Sequence, residues 1–185
     1  MTAAGTDTDE DAMLALQRGE DLALNRLMTR WEKPLRGFLY RSTRNEHDAL
    51  DLAQETFVRI YQHRTRYRAG ARFSTWMFQI ALNLARDHAR RHQRRPTTTL
   101  DAAPEPFTTL TPGHSVTDAE AAAAVRAAVS ALPAELREAV LLAEFEHLPH
   151  AEIAAIVGAT PKAVETRLYR AREKLRATLA RYLKS

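Results

Sequence analysis

The sequence predicts an all-α protein: two small helical domains joined by a flexible linker, the C-terminal one containing a helix-turn-helix. Three observations predict it. Apolar residues recur at three- and four-residue steps in both halves, and no β-alternation of any length is present. Residues 96–117 hold four of the chain's eight prolines among many threonines; proline removes backbone donors and pushes the preceding residue to extended geometry, so this stretch joins rather than packs. Gly158, Thr160 and Pro161 stand between two apolar-periodic segments, in the order a tight helix-to-helix turn requires. The resulting division is an acidic tail at 1–11, a helical domain at 12–95, the linker at 96–117 and a second helical domain at 118–185.

Composition narrows the class. Of 185 residues, 45% are apolar, enough for two cores, and the net charge is +4. Cysteine is absent, which excludes disulfide frameworks, thiolate metal sites and cysteine nucleophiles and fits a reducing compartment. The acidic, polar N-terminus does not read as a signal peptide. No apolar run approaches the ~18 residues a membrane span needs, so no membrane insertion is expected.

In the first domain, residues 12–29 carry Ala, Leu and Met at helical spacing, followed by Trp31, Leu35, Phe38 and Leu39. Residues 46–62 set Ala49, Leu50, Ala53, Phe57, Ile60 and Tyr61 on one stripe, with Asp48, Asp51, Gln54, Glu55 and Arg59 opposite. A basic, glycine-containing loop with Tyr67, Arg68, Gly70 and Arg72 follows, and Ser74 stands where it could cap a helix running to about Arg91. In the second domain, Asp118 is placed to cap an Ala-rich helix ending before Pro133. The next helix carries Leu136, Val140, Leu141 and Leu142, and then come a short helix at 151–157 and a long one from Pro161.

Charge is patterned along the chain. Residues 86–95 hold five arginines against Asp87, and residues 162–185 hold eight Lys/Arg against Glu165 and Glu173. Acidic material separates them, including five glutamates in 135–161. Two separated basic segments suit two contacts with one polyanion, or two solvated helix faces.

The C-terminal segment has helix-turn-helix grammar. Ile153, Ile156 and Val157 form the inner side of the first helix, and Val164, Leu168, Ala171 and Leu175 that of the second. Ala154 is small where the helices approach. The outer stripe holds Lys162, Thr166, Tyr169 and Arg170, flanked by Glu165, Arg167 and Arg172. Such side chains reach phosphates and base edges when the helix lies in a major groove; an αα-hairpin with a basic surface has the same pattern. Leu148-Pro149-His150 provides no side-chain cap for the first helix.

The helix at 75–91 places Met77, Ile80, Ala81 and Leu84 inward and Trp76, Gln79, Asn83, Arg86 and Arg90 on one outward stripe. An aromatic, two amides and two guanidiniums suit single-stranded nucleic acid: rings stack on bases, amides meet base edges and arginine neutralises phosphate. The mobile loop before it, with Tyr67 and Phe73, could receive an unstacked base. Trp76 could equally plug the core, and Phe73 reads more as a core residue than as an exposed one.

Both halves resemble one family, the extracytoplasmic-function group of bacterial RNA polymerase sigma factors. The N-terminal likeness lies in Asp48-Ala-Leu-Asp-Leu-Ala-Gln-Glu-Thr-Phe-Val-Arg, in Phe73-Ser-Thr-Trp-Met-Phe-Gln-Ile-Ala-Leu-Asn-Leu-Ala-Arg-Asp, and in the arginine run ending at Pro96. The C-terminal likeness lies in Ala131-Leu-Pro-Ala-Glu-Leu-Arg-Glu-Ala-Val-Leu-Leu and the helix-turn-helix ending in Tyr169-Arg-Ala-Arg-Glu-Lys-Leu-Arg. The resemblance implies a promoter-specificity subunit of the bacterial cytoplasm. Asp48, Asp51, Leu52, Gln54, Glu55 and Phe57 would dock on the clamp coiled coil of the core polymerase β′ subunit. The loop from Tyr67 through Arg68, Arg72, Phe73 and Ser74, with Trp76, Gln79, Asn83, Arg86 and Arg90, would melt the minus-ten element and capture a non-template base. Lys162, Glu165, Thr166, Arg167, Tyr169, Arg170 and Arg172 would read the minus-thirty-five duplex, in a domain seated on the β flap. The linker would thread the polymerase, and an anti-sigma factor would hold the chain inactive. Glu165 departs from the basic or polar residue many relatives carry there, which leaves the preferred promoter sequence open.

Two other classes compete: a helix-turn-helix regulator acting without polymerase, and a sigma-like decoy that only titrates an inhibitor. An enzyme is not expected. No phosphate loop or dinucleotide fingerprint is present, the six glycines are scattered, and no cofactor is implied. His88 and His92, four apart on one helix, could ligate a metal, but Arg90 and Arg91 between them favour surface histidines and no metal site.

Overall fold

A computed structural model describes residues 8–94 and 116–180. All elements among them are helical, in two compact units, one N-terminal and one C-terminal. The expected linker lies almost wholly outside the described residues, as do the first seven residues and the last five.

The N-terminal unit contains α1 (Asp9–Gln17), α2 (Leu22–Thr43), α3 (Glu46–Gln62), a 3₁₀ turn (Arg64–Arg66) and α4 (Phe73–Arg94). The acidic segment expected as a tail is helical from Asp9. Thr8 and Asp11 form a reciprocal capping box, and the Thr8 hydrogen bonds hold the Asp11 carboxyl below its usual range. Acidic residues in a first turn also complement the helix dipole, so this cluster nucleates α1 rather than dangling. Gly19, at φ +93°, separates α1 from α2. Asn45 caps α3, its Oδ1 accepting the Asp48 N–H at 3.0 Å.

The core of this unit is aromatic at its centre. Phe38, Phe73 and Phe78 are fully buried with Met13, Leu16, Leu27, Leu35, Leu39, Ile60 and Met77. Phe78 meets Phe38 edge-on at 5.2 Å and Trp31 edge-on at 5.9 Å, the geometry that ring quadrupoles favour.

α1 straps this core to the loop before α4. Glu10 Oε1 accepts the Phe73 N–H at 3.0 Å. Asp9 Oδ2 accepts the Trp31 indole N–H at 2.9 Å, and its other oxygen pairs with Arg30 at 2.9 Å. Gln17 Nε2 donates to the carbonyls of Arg64 (2.7 Å) and Tyr67 (2.8 Å). Ser74 is therefore not the cap of α4. The helix starts at Phe73, two residues before the expected Thr75, and its first orphan N–H is satisfied by a carboxylate from another helix.

The C-terminal half of the described chain contains α5 (Val116–Ser130), α6 (Ala134–Val140), a π-helical turn (Leu141–Phe145), α7 (His150–Val157) and α8 (Pro161–Thr178). α5 is helical from Val116, inside the expected linker, and Asp118, expected before it as a cap, is itself a helical residue. Pro133 separates α5 from α6. The π turn, closed by Glu146 N–H to the Leu141 carbonyl at 3.3 Å, keeps Leu141 and Leu142 buried while the backbone changes course. α7 begins at His150 with no side-chain cap, as expected. Gly158 turns the chain at φ +72°, and Thr160 Oγ1 accepts the Ala163 N–H at 3.2 Å, with Pro161 in the first position of α8. Val164, Leu168 and Ala171 are buried with Leu136, Ala139 and Val140 of α6; Leu175 is only half-buried.

Candidate nucleic-acid interface

Three surfaces carry the site residues expected from the sequence. The first is the loop and outer face of α4. Arg68 and Arg72 are exposed around Gly70, which turns at φ +87°. Gln79, Asn83 and Arg90 are exposed along α4, while Ser74, Trp76 and Arg86 are half-buried. Arg90 pairs with Asp87.

Two residues depart from expectation. Phe73 is fully buried and Tyr67 is 4% exposed. Neither ring is free to stack on a base. Phe73 fills the core beside Trp31, and Tyr67 packs on Trp76 with centroids 5.4 Å apart. The Tyr67 hydroxyl donates to the Ala71 carbonyl across the loop. Burial first, then the nearby Glu10 and Asp9 carboxylates, push the Tyr67 phenol up to about 12. With Gln17 pinning one end and Glu10 the other, the loop expected to be mobile is tied at both ends. The two aromatics support the surface from beneath, and Trp76 is the ring left partly accessible.

This predicts a pH signature. An unfolded tyrosine ionises near 10, whereas the folded one holds its proton to about 12. The folded state thus binds the extra proton in that interval, and stability falls as pH rises through it. Tyr67→Phe is expected to cost about 1 kcal/mol at neutral pH through the lost hydrogen bond. It should also flatten the alkaline decline, as read by urea unfolding at stepped pH.

The second surface is α8. Lys162, Glu165, Thr166, Tyr169 and Arg170 are exposed, Tyr169 by 66%. Lys162 Nζ lies 2.9 Å from Glu165 Oε2 and holds that carboxyl below its usual range. Thr166 donates to the Lys162 carbonyl at 2.9 Å. Arg167 turns inward instead: it is half-buried, 3.0 Å from Glu135 of α6. Arg172 is exposed but pairs with Glu144 at 2.9 Å. The acidic stretch after Pro133 thereby ties Arg167 and Arg172 back to their own unit, and the other five expected residues face outward.

The third surface is α3. Asp51 and Gln54 are exposed, and Asp48 and Glu55 half-buried. Leu52 and Phe57, expected as docking contacts, are 5% and 4% exposed and belong to the core. In their place the surface presents Leu50 and Val58, 37% and 46% exposed, which the sequence reading missed. The true inner stripe runs through Ala49, Leu52, Ala53, Thr56, Phe57 and Ile60. Thr56 is buried because its hydroxyl donates to the Leu52 carbonyl at 2.7 Å. Admitting one self-satisfied threonine to the core gives the correct helical phase and exposes Leu50. Glu55 pairs with Arg59 at 2.8 Å.

Two helical units, one with a helix-turn-helix and one with a polar, basic helix face, have the make-up of a DNA-binding protein. Comparison with known proteins makes the class specific. Residues 27–95 match Sigma-70 region 2, and residues 122–175 match Sigma-70, region 4. RNA polymerase sigma factor CarQ of Myxococcus xanthus is 38% identical over 164 residues, 87% of this chain and 91% of that protein. RNA polymerase sigma-H factor of Pseudomonas aeruginosa is 29% identical over 179 residues, covering 91% and 92%. Among solved structures, CnrH in complex with the cytosolic domain of CnrY superposes with a TM-score of 0.72 at 27% identity, over 93% of this chain and 97% of that one. The sigma factor RpoE in complex with the anti-sigma factor NepR from Bartonella quintana shares the fold, with a TM-score of 0.67 at 21% identity, over 84% and 96%. The chain belongs to the extracytoplasmic-function group of the sigma-70 family, the factors of promoter-specific transcription initiation. No described helix is long and apolar enough to cross a membrane.

Proposed function

We propose that this chain brings core RNA polymerase to promoters through three separate surfaces. The exposed face of α8 reads the duplex minus-thirty-five element. The loop at 68–72 and the α4 stripe of Trp76, Gln79, Asn83, Arg86 and Arg90 hold the opened minus-ten strand. The α3 face, with Asp51, Gln54, Leu50 and Val58, docks on the clamp coiled coil of β′, and the C-terminal unit sits on the β flap. The chain works in the bacterial cytoplasm and needs no cofactor for these steps.

The observation that carries this reading is the placement of two polar, cation-bearing helix faces, α4 and α8, on different units. One suits a duplex groove and the other suits unstacked bases and phosphate. Opening costs a few kcal/mol per unstacked base. Stacking on an aromatic returns about 1–3 kcal/mol per base, and phosphate neutralisation adds to it. An anti-sigma factor is the remaining partner. CnrH was solved with the cytosolic domain of CnrY, and the exposed Leu50 and Val58 give such a partner apolar ground to cover on the docking face.

The test is run-off transcription with purified core polymerase on promoter and promoter-free templates. Wild type is expected to initiate only with core present, and only from the promoter. Arg170→Ala removes one reader; a good base or phosphate contact is worth about 1–3 kcal/mol. Promoter-specific output should fall about tenfold or more, with core affinity unchanged. Equal loss on promoter-free DNA, or promoter binding by the chain without core, would overturn the reading.

A further inference from the structure

We propose that Asp48, His88 and His92 form a binding site for a divalent transition-metal cation. His88 and His92 stand one turn apart on α4, their ring centroids 4.3 Å from each other. α3 brings Asp48 to them from the side, with Oδ1 3.3 Å from His88 Nε2. One ligand atom from each of the three lies within 4.8 Å of the others. Metal–ligand bonds of about 2.0–2.2 Å place tetrahedral neighbours roughly 3.3–3.6 Å apart. The Asp48–His88 edge already has that length. His92 is exposed, so its ring can close the remaining distance by a side-chain rotation alone.

The donor set selects the ligand. Two imidazoles and one carboxylate suit zinc, cobalt, nickel or copper over magnesium or calcium, which prefer all-oxygen sites. Three protein ligands leave coordination positions open to water.

The surroundings accept positive charge. The three residues line a groove of about 720 Å³ with Asp51, Glu55, Arg59 and Arg91, walled by Leu52 and Leu84. Three carboxylates face two guanidiniums there, and Arg59 is bound to Glu55 at 2.8 Å. Arg90, which sequence spacing sets against a cation, turns instead to Asp87. Asp48 is held on the opposite wall by the Asn45 cap of α3.

The site is tested without polymerase or DNA, so its outcome is independent of the promoter-binding reading. The untagged full chain is titrated with cobalt(II), and d–d absorption is recorded, followed by displacement with zinc(II). One cation per chain is expected, with cobalt bands lost on zinc addition. His92→Ala should weaken binding at least tenfold, the scale on which metal sites respond to lost support. His92 is exposed, so the variant is expected to keep its fold, checked by circular dichroism. His88→Ala should lose the bands too, while His47→Ala and His63→Ala should leave them unchanged. Absence of binding to the wild type, or an unchanged affinity in His92→Ala, would overturn the proposal.

Discussion

A Gln79→Ala, Asn83→Ala double variant is expected to form few open complexes while binding core polymerase like wild type. Both amides are exposed on the outer face of α4, so neither substitution opens a cavity, and alanine raises helix propensity at both sites. What is lost is recognition: each amide offers two donors and an acceptor to an unstacked base. A hydrogen bond there is worth about 0.5–1.5 kcal/mol net. Two together remove about 1–3 kcal/mol, roughly a fivefold to 150-fold loss in a step already close to balance. The readout is permanganate reactivity of thymines in the minus-ten element, with core affinity measured in parallel. Reactivity equal to wild type would sink the assignment of this face to melting. Trp76→Ala is a poorer probe. Its ring packs on Tyr67 at 5.4 Å and is half-buried, so removing it loosens the loop as well as any stacked base.

The main lines of the fold were legible because they rest on strong local chemistry. The turn at Gly158 needs a left-handed residue, and Thr160 and Pro161 are a helix start that few other arrangements use. The helix at 46–62 was legible because apolar spacing persists through it. What escaped the sequence was tertiary. Nothing local says that Glu10 caps a helix beginning 63 residues later, so Ser74 was the better local candidate. Nothing local says that Asp9 meets the Trp31 indole, so an acidic N-terminus read as a tail. The α3 face was misphased because Leu50 and Thr56 compete for one stripe, and hydrophobicity alone picks Leu50. Among the candidate contacts on α8, Arg167 and Arg172 are indistinguishable by spacing from Arg170. Only the positions of Glu135 and Glu144 separate the tethered guanidiniums from the outward-facing one. Asp48 shows the same limit from the other side. His88 and His92 were visible as a pair, but the third member comes from another helix.

Phe78→Ala is expected to have the largest effect on stability. The side chain is fully buried and is shared edge-on between Phe38 and Trp31. Removing a buried ring costs about 3–5 kcal/mol, because the transferred area is lost and the neighbours cannot collapse fully into the space. A whole small domain holds about 5–15 kcal/mol, so the N-terminal unit should sit near its unfolding threshold. The chain provides its own reporter for this. Its two tryptophans, Trp31 and Trp76, both lie in the N-terminal unit. Tryptophan fluorescence therefore follows that unit alone, whereas far-ultraviolet circular dichroism follows both. In urea, the fluorescence midpoint of Phe78→Ala should drop sharply, and the dichroism should split into an early and a late transition. Leu168→Ala, 1% exposed in the other core, should do the converse: about 2–5 kcal/mol lost in dichroism, with fluorescence nearly unmoved. The separation has a functional corollary. A damaged N-terminal unit should abolish initiation while leaving α8 folded. If both probes instead shift together in either variant, the two cores unfold as one cooperative body. The assignment of melting and duplex reading to separately stable units would then have to be abandoned.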